Sequence, residues 1–394
     1  MATEADTIIE VIKRQAEEDE RTRPPATDHT VAPWSSEAVT ASWLTGALCG
    51  DVPGAEVLDV EFSEIDHGSN SRQFIRVTYN DVGREAGLPE RMIAKSTPHW
   101  KQRLVVGLTG SAVQEWGFYR DLRADLGALE SPVGLYGVVD PESYRSIVLI
   151  EDISDRVAKW GNPVELYVGR EQAESMVDVL AQIHGAMWAS PRLDELPWLR
   201  TSKAFQKHLN ATVGFEQATL LGIDRARERQ LGPDEFFARK DDVLPALARS
   251  LEMNVADTHT LLHFDTHLNN WYLTNDGHMG IMDWGCVSRG NWAADYAYMI
   301  MAALTVDDRR SWEHDLLERY LERVRENGGD PPAFDDAWLR YRQQTFHGLT
   351  FWLMTIGFGE DHPEMQADEI SKTLVERMCH AACDLRSFDA LRDG

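Results

Sequence analysis

The stretch His263-Phe-Asp-Thr-His-Leu-Asn-Asn270 places two histidines, an aspartate and two asparagines within eight positions. Two strand candidates follow it, Trp271–Thr274 and Met279–Asp283, separated by a turn-forming Asn-Asp-Gly sequence. Such a turn between two short apolar runs favours a hairpin. A hairpin returns its second strand to the start of the first. We therefore expect Asp283 to lie beside Asn270.

The polar groups of this stretch match the needs of phosphoryl transfer from a nucleotide. The acceptor hydroxyl must be oriented and lose its proton, and Mg²⁺ must be held on the phosphates by hard oxygen ligands. Asp265 and Asn270 have the Asp-x-x-x-x-Asn spacing of kinases, and Asp283 follows as the later carboxylate. We interpret Asp265 as the catalytic base, and Asn270 and Asp283 as ligands of Mg²⁺.

The stretch resembles the catalytic loop of the aminoglycoside phosphotransferase and choline kinase superfamily, whose usual pattern is H-G-D-x-H-x-x-N followed by I-D-W. His263, His267 and Trp284 occupy the matching places, and Phe264 stands where the family usually has glycine. We interpret both histidines as structural residues that brace the loop by hydrogen bonds. The resemblance implies the same bracing role for Asp295, at the end of a G-x-x-x-x-D stretch.

Two other classes of function stay open. A metal-dependent hydrolase would use His263, Asp265 and His267 as ligands of zinc or iron, because H-x-D-x-H also occurs in such enzymes. A catalytically silent relative would bind a nucleotide without turnover. Protein kinases share the Asp-x-x-x-x-Asn spacing, but the chain lacks the H-R-D, D-F-G and A-P-E motifs. A small-molecule acceptor is therefore favoured over a protein.

The sequence upstream of residue 152 predicts a small β-rich lobe. Strands are expected at 57–65, 74–79, 91–96, 134–139 and 146–151, with a helix at 111–126 between the third and fourth. From Arg170 onward, apolar residues recur at the spacing of helices. Together with the resemblance, this order implies an α+β, protein-kinase-like fold with two lobes. The N-terminal lobe would hold a five-stranded antiparallel sheet and one helix, and the larger C-terminal lobe would be mainly helical.

Three segments are expected along the chain. Residues 1–33 would be an N-terminal extension or linker that includes a short amphipathic helix. Residues 34–152 would form the nucleotide-binding lobe, and residues 153–394 the helical lobe with the catalytic loop and the acceptor site. We interpret His184 and Trp188 as core residues of the helical lobe.

A lysine and a glutamate in the first lobe are candidates for binding the nucleotide phosphates. Lys95 ends the third strand candidate, and Glu115 lies on the helix that follows. Kinases place a strand lysine on the α- and β-phosphates and hold it with a helical glutamate. The E-x-x-F-Y stretch at Glu115 resembles that of the ecdysteroid-kinase-like and choline-kinase-like branches. The resemblance implies a Lys95–Glu115 pair.

The resemblance implies two further segments that contact the nucleotide, because they occupy the places of the family's phosphate loop and linker in the order of motifs. The turn after the first strand offers Gly68, which would allow close backbone approach, and the donors Ser69 and Asn70. The segment Glu151–Ile153 resembles the linker whose backbone hydrogen-bonds the adenine edge, so Glu151, Asp152 and Ile153 are candidates there. Asp152 has the alternative interpretation of a capping charge.

The composition narrows the partners and the compartment. The 394 residues include 65 acidic and 39 basic side chains, a formal net charge of −26. This charge argues against a nucleic-acid backbone or an anionic membrane as the main partner. The four cysteines include no C-x-x-C pair, and no apolar run is long enough to span a bilayer. We therefore expect a cytoplasmic protein without a disulfide framework.

ATP and Mg²⁺ are the expected cofactors, with GTP left open. The acceptor stays open among aminoglycosides, choline-like compounds and other partly apolar alcohols, and a neutral or cationic acceptor fits the acidic background best. Aromatic residues between Trp312 and Met354 suit an apolar alcohol or a quaternary ammonium. The acidic run Gly359–Glu364 would attract a cation or be an ordinary solvated loop. The sequence leaves the oligomeric state open.

Overall fold

The computed structural model describes residues 4–359 and 366–392, and contacts divide them into two compact units. The first unit holds the described residues up to Ala124 together with Pro132–Asp155. The second unit holds Asp125–Ser131 and most of the chain from Arg156 onward. The acidic run Gly359–Glu364 was a candidate for attracting a cationic acceptor. Apart from Gly359, it lies outside the described residues. The segment bounds at residues 33 and 152 stay predictions.

An antiparallel sheet forms the centre of the first unit. Its strands are β1 (Val57–Phe62), β2 (Asp66–His67), β3 (Ser71–Tyr79), β4 (Arg91–Ser96), β5 (Gly134–Val139) and β6 (Ser146–Glu151). The strand order is β1-β3-β4-β6-β5, and β2 pairs with β3. Residues along β3 alternate strictly between buried and exposed, so one face of the sheet is covered by the core and the other is open. The predicted bounds of β4, β5 and β6 are confirmed.

The first two strands differ from their predicted bounds. The strand predicted to reach residue 65 ends at Phe62, and the strand predicted to begin at residue 74 begins at Ser71. The short strand β2 pairs Asp66 with Arg72 and His67 with Ser71. The sheet therefore extends into the segment predicted as a turn, because a two-residue pairing leaves no alternation to detect.

The helices of the first unit flank this sheet. They are α1 (Glu4–Thr22), α2 (Ala41–Leu48), α3 (Asp81–Glu85), α4 (Trp100–Gln102) and α5 (Ser111–Asp121), with a π-helical segment at Arg103–Leu108 between α4 and α5. Trp43 and Leu44 of α2 share one buried core with Ile75, Met92 and Leu149 of the sheet.

The sequence of residues 36–50, with Ser35 or Ser36 as the N-cap, predicts one helix that ends near Gly50, and this prediction is wrong. Residues Ser36–Ala38 form a 3₁₀ turn capped by Ser35, and Val39 is extended. Helix α2 then begins after Thr40, whose hydroxyl accepts the N–H of Trp43 at 3.3 Å. A second capping residue thus starts a second helix.

Helix α1 packs within the first unit through buried charges. Ile12 is fully buried, and Asp19 is 3% exposed. The Asp19 carboxylate accepts hydrogen bonds from Arg103 Nη2 at 2.6 Å and from Arg145 Nε at 2.9 Å. Two guanidinium groups from different parts of the unit therefore hold α1 in place.

Short strands of the second unit surround the catalytic stretch. They are β7 (Val157–Trp160), β8 (Thr260–Leu262), β9 (Trp271–Thr274), β10 (Met279–Ile281) and β11 (Ser288–Gly290). Strands β9 and β10 form the predicted hairpin, with Leu273 opposite Met279, and β7 pairs with the other edge of β9. Strands β8 and β11 pair with each other. Sequence reasoning missed β7, β8 and β11, because three or four residues give no clear period and these strands lack the turn signal that marks β9 and β10.

The rest of the second unit is helical, as predicted. The helices are α6 (Arg170–Ala186), α7 (Arg192–Glu195), α8 (Ser202–Thr212), α9 (Phe215–Glu228), α10 (Asp234–Phe237), α11 (Val243–Ala256), α12 (Ala293–Ala303), α13 (Val306–Glu326), α14 (Phe334–Gln343), α15 (Phe346–Gly357), α16 (Asp368–Asp384) and α17 (Ser387–Ala390). Every residue of α12 is buried, so this helix lies in the centre of the unit. Helices α9 and α15 pack so closely that a Cβ atom on Gly222 would lie 1.7 Å from the carbonyl oxygen of Leu353.

Two absences hold for the described part of the chain. None of its helices combines the length and the apolar character that crossing a bilayer requires. Cys49, Cys286, Cys379 and Cys383 are all free thiols, and burial raises the pKa of Cys379 well above its usual value.

Candidate active site

The catalytic stretch forms a loop between β8 and β9 that closes against the end of β10. The N–H of Met282 donates to the carbonyl oxygen of Asn270 at 2.8 Å. The hairpin therefore returns to Asn270 one residue before Asp283, as the sequence predicted. The charge of Asp283 acts on the pKa values of both His263 and Asp265, which shows that these groups share one electrostatic environment.

Asp295 of α12 holds the start of this loop. Its two carboxylate oxygens accept the backbone N–H groups of His263 at 2.7 Å and of Phe264 at 2.8 Å. Its backbone carbonyl accepts the hydroxyl of Thr266 at 2.9 Å. The side chain is fully buried and also lies 3.3 Å from Nε2 of the buried His184. These contacts hold the start of the loop and support the bracing role expected for Asp295.

Phe264 has a left-handed backbone, with φ of +64°. This conformation favours glycine, which explains why the superfamily usually has glycine here. The Phe264 ring is fully buried and stacks on His347, whose Nε2–H donates to the Phe264 carbonyl at 2.7 Å. The stacked ring and the hydrogen bond hold a backbone that the residue type disfavours.

Both ring nitrogens of His263 are occupied within the loop. Nε2 donates to the carbonyl of Met282 at 3.0 Å, and Nδ1 accepts the N–H of Asp265 at 3.3 Å. Burial lowers the pKa of His263, so the ring is neutral. A histidine used in this way is not a metal ligand. In the described part of the chain, the side chains close enough together to hold a metal ion are the exposed His314, Asp315 and Glu318, not the histidines of the loop.

The Asp265 carboxylate is 21% exposed and has defined partners on both oxygens. Oδ2 accepts from Asn270 Nδ2 at 3.1 Å and lies 3.4 Å from Nε2 of His267, while Oδ1 accepts the hydroxyl of Tyr298 at 3.1 Å. Burial raises the pKa of Asp265, but His267 and His263 outweigh it, so this pKa lies below its usual value. The carboxylate is ionised and oriented at neutral pH.

Asn270 and Asp283 present the oxygen atoms that Mg²⁺ prefers. Asn270 donates Nδ2–H to both the backbone carbonyl and the carboxylate of Asp265, at 2.8 and 3.1 Å. These bonds direct its Oδ1 to the opposite side of the amide. Asp283 is half-buried and has a left-handed backbone, with φ of +66°. A strained backbone at a polar residue often marks a functional position.

Sequence reasoning missed Tyr298 and Trp352. Tyr298 lies three residues after Asp295 on α12, and Trp352 lies on α15; both are buried. Each belongs to an apolar helix; the sequence did not single out Tyr298, and it placed Trp352 only among the aromatic residues suited to an apolar acceptor. Burial raises the pKa of Tyr298 well above its usual value, so its hydroxyl is protonated and donates to Asp265. Only the tertiary contact distinguishes it from a core tyrosine.

In the first unit, the structure brings Lys95 and Glu115 together. Nζ of Lys95 lies 2.6 Å from Oε1 of Glu115, with both side chains about 95% buried, at 6% and 5% exposure. Lys95 lies in β4 opposite Val148 of β6, and Glu115 lies on α5. A buried pair of opposite charges holds the ammonium group in one place.

The sheet face that carries Lys95 also carries apolar side chains. Phe74 pairs with Ile93 and Arg72 pairs with Lys95, and residues two apart on a strand share a face. Phe74 is 47% exposed. A concavity of about 260 Å³ is lined by residues that include Phe74, Arg91 and Asp152. The sequence could have predicted this shared face, because Ile93 lies two residues before Lys95 on the same strand.

The predicted phosphate turn is a hairpin tip held by a glutamine. Gly68, Ser69 and Asn70 connect β2 to β3 and are half-buried. Gln102 Nε2 donates to the carbonyl of Gly68 at 3.1 Å and to the hydroxyl of Ser71 at 3.0 Å. A Cβ atom on Gly68 would meet nothing closer than 3.6 Å, so the loop itself does not require glycine there.

The linker candidates lie at the end of β6. Glu151 N–H donates to the carbonyl of Val133, and Glu151 also pairs with Met92 in the sheet. Asp152 Oδ1 accepts the N–H of Ser154 at 2.9 Å, which supports the capping interpretation of this side chain. Ile153 is buried.

Known proteins share the fold of this chain but little of its sequence. No curated protein matches the sequence of this chain. Among solved structures, a protein from Ralstonia eutropha JMP134, provisionally described as an aminoglycoside phosphotransferase, is 12% identical, with a TM-score of 0.50 over 90% of this chain and 97% of the other. Choline kinase LicA from Streptococcus pneumoniae is 13% identical, with a TM-score of 0.44 over 89% of this chain and 98% of the other. A microcompartment-associated aminopropanol kinase is 14% identical, with a TM-score of 0.47 over 83% of this chain and 92% of the other.

The likeness to the Ralstonia structure shows the fold alone, and it confirms the kinase-like α+β fold expected from the sequence. The sequence profile of the phosphotransferase enzyme family matches residues 107–340, a segment that includes Glu115 and the whole catalytic loop. Because this segment is more than half of the 394 residues, the chain belongs to the phosphotransferase enzyme family.

Proposed function

We propose that this protein transfers the γ-phosphoryl group of ATP to a hydroxyl group of a small molecule. The observation that carries the proposal is the ionised Asp265 carboxylate, held in one orientation within the loop that also contains Asn270. The acceptor oxygen would form the new bond to γ-phosphorus as the bond to the β–γ bridging oxygen breaks. Its proton would pass to Asp265.

The oxygen atoms of Asn270 and Asp283 fit a hard divalent cation. Bound Mg²⁺ would offset the negative charge of the phosphates. In the first unit, Lys95, held by Glu115, would bind the α- and β-phosphates. The adenine ring would pack on the apolar face that includes Phe74 and Ile93. Its edge would bond to the backbone of Glu151–Ile153, and the tip at Gly68–Asn70 would cover the phosphates.

The acceptor is proposed only as a class. The net charge of −26 favours a neutral or cationic alcohol, such as an aminoglycoside or a choline-like amino alcohol. The protein would act in the cytoplasm, and GTP is an alternative donor to be tested beside ATP. The hydrolase alternative loses support, because both nitrogens of His263 are occupied within the loop.

The test is a panel of aminoglycosides, amino alcohols and simple alcohols with γ-labelled ATP or GTP and Mg²⁺, with labelled product as the readout. We expect Asp265→Asn to lower kcat by on the order of 10²-fold or more. Asp283→Asn should raise the Mg²⁺ concentration needed for activity. The matched control is Asp276→Asn, which removes an exposed carboxylate of the same hairpin and should leave activity unchanged.

Three results would contradict the proposal. Undiminished transfer by Asp265→Asn would remove the assigned base. Nucleotide binding without transfer to any acceptor would indicate a silent relative. Stoichiometric zinc or iron in the purified protein, with hydrolytic activity, would support the metal-dependent hydrolase.

A further inference from the structure

Tyr298 and Trp352 form a chain of hydrogen bonds that ends on Asp265. Trp352 Nε1 lies 2.8 Å from the hydroxyl oxygen of Tyr298, and that hydroxyl lies 3.1 Å from Asp265 Oδ1. Tyr298 is 1% exposed and Trp352 is 3% exposed. The bond between Trp352 and Tyr298 is therefore buried, and the bond from Tyr298 to Asp265 is partly buried.

The direction of this chain follows from the chemistry of its members. An indole N–H only donates, so the Tyr298 oxygen accepts the bond from Trp352. The hydroxyl hydrogen of Tyr298 then has the Asp265 carboxylate as its acceptor. The chain runs from Trp352 through Tyr298 to Asp265 and presents a donor to Oδ1.

The surroundings hold the Tyr298 ring in place. A Cβ atom on Gly348 of α15 would lie 2.4 Å from the Tyr298 ring, so the absence of a side chain there makes room for it. The His347 ring meets it edge-on, with ring centroids 5.8 Å apart. Trp352 in turn lies edge-on to His267, with centroids 5.1 Å apart.

A neighbouring tyrosine shows what a structural contact looks like in the same helix. Tyr296 is also fully buried, but its hydroxyl donates to the backbone carbonyl of Glu313 at 3.4 Å. Tyr296 therefore ties two helices together, whereas the hydroxyl of Tyr298 meets the carboxylate of the catalytic loop.

We propose that Tyr298 is a positioning residue of the phosphotransfer reaction, which holds Oδ1 of Asp265 and so sets the orientation in which the carboxylate meets the acceptor hydroxyl. Asn270 bonds to Oδ2 from within the loop, so the two contacts set the rotation of the carboxylate. Trp352 supports the arrangement by directing the Tyr298 hydroxyl. This inference rests on the proposed function.

The kinetic test compares Tyr298→Phe with the wild type and with the control Tyr296→Phe. We expect Tyr298→Phe to lower kcat on the order of 10-fold or more, because a misplaced reacting group slows the reaction far more than it weakens binding. The KM values for ATP and acceptor should change little. Trp352→Phe should give a smaller loss of kcat, and Tyr296→Phe none. A raised KM with an unchanged kcat in Tyr298→Phe would overturn the positioning role.

A double variant separates positioning from a general structural effect. If Tyr298 acts through the carboxylate, adding Tyr298→Phe to Asp265→Asn should not lower the residual rate further. An additive loss would overturn the proposal.

A spectroscopic readout tests the hydrogen-bond chain without any substrate. In protein with ¹⁵N-labelled tryptophan, the indole N–H of Trp352, assigned by its loss in Trp352→Phe, should lose exchange protection in Tyr298→Phe and keep it in Tyr296→Phe. Unchanged protection would overturn the chain. An inactive wild type overturns the proposed function, whereas wild-type kcat in Tyr298→Phe overturns the positioning role alone.

Discussion

The imidazole of His347 lies flat on the ring of Phe264, with ring centroids 3.6 Å apart and the planes inclined by 13°. The same imidazole donates Nε2–H to the Phe264 carbonyl at 2.7 Å. Phe264 is the residue at which this chain departs from the glycine usual in its superfamily, and its backbone is left-handed. The two contacts compensate for an unfavourable backbone directly before Asp265.

Replacing Phe264 by glycine or alanine separates the backbone from the ring. Both variants lose the buried ring, which costs about 3 kcal/mol of unfolding free energy or more. We expect Phe264→Gly to be at least as stable as Phe264→Ala, because alanine disfavours a positive φ. Urea denaturation measures the difference.

The control for this comparison is Phe205, whose ring meets that of Phe264 edge-on from within α8. At this helical position, glycine should be less stable than alanine by about 1 kcal/mol. The same order at both positions would contradict the role assigned to the backbone at Phe264.

His347 should make the stability of the protein depend on pH. Burial lowers its pKa from 6.5 to about 4. The unfolded chain therefore binds a proton that the folded chain excludes when the pH falls from about 6.5 toward 4. We expect a loss on the order of 3 kcal/mol over this range, because each pKa unit corresponds to about 1.4 kcal/mol. Stability above pH 7 should not depend on this group.

The measurement is the unfolding free energy of the wild type and of His347→Gln from pH 7.5 to 4. Glutamine keeps a donor for the Phe264 carbonyl but does not titrate in this range. The variant should show a shallower decline with acidification. Parallel curves for the two proteins would show that His347 is not the group responsible.

The Lys95–Glu115 pair should be more sensitive to the loss of one partner than to the loss of both. Lys95→Met or Glu115→Leu alone leaves a buried charge without its main partner, which costs about 3 kcal/mol or more. The double variant should be more stable than the sum of the two single changes predicts. The exposed pair of Arg229 and Asp368, 2.7 Å apart, serves as the control and should show little coupling. Additive effects at Lys95 and Glu115 would contradict a coupled pair.

Asp19 should stabilise the first unit through Arg103. Removing the carboxylate in Asp19→Ala leaves the fully buried Arg103 guanidinium without its carboxylate partner, and we expect a loss of about 3 kcal/mol. Glu18→Ala on the same helix removes an exposed pair with Arg21 and should change little. Equal melting temperatures for Asp19→Ala and Glu18→Ala would show that the buried cluster does not hold α1.

The sequence by itself determined the features that depend on local pattern. Short, largely apolar runs located β4, β5 and β6, and the Asn-Asp-Gly turn predicted the hairpin that brings Asp283 back to Asn270. The spacing of Asp265, Asn270 and Asp283 pointed to phosphoryl transfer, because the reaction needs a base and oxygen ligands for Mg²⁺ and kinases carry them at this spacing. The order of Lys95 and Glu115 predicted their pairing.

Only the tertiary structure decided which buried residues act on the catalytic loop. Tyr298, Trp352 and His347 come from helices that are distant in sequence, and their apolar neighbours predict only that they are buried. The burial of Asp19 among arginines was hidden for the same reason, because a charged residue on an amphipathic helix is usually solvated. A local pattern can show that a side chain is covered, but the groups that cover it are set by how distant segments pack.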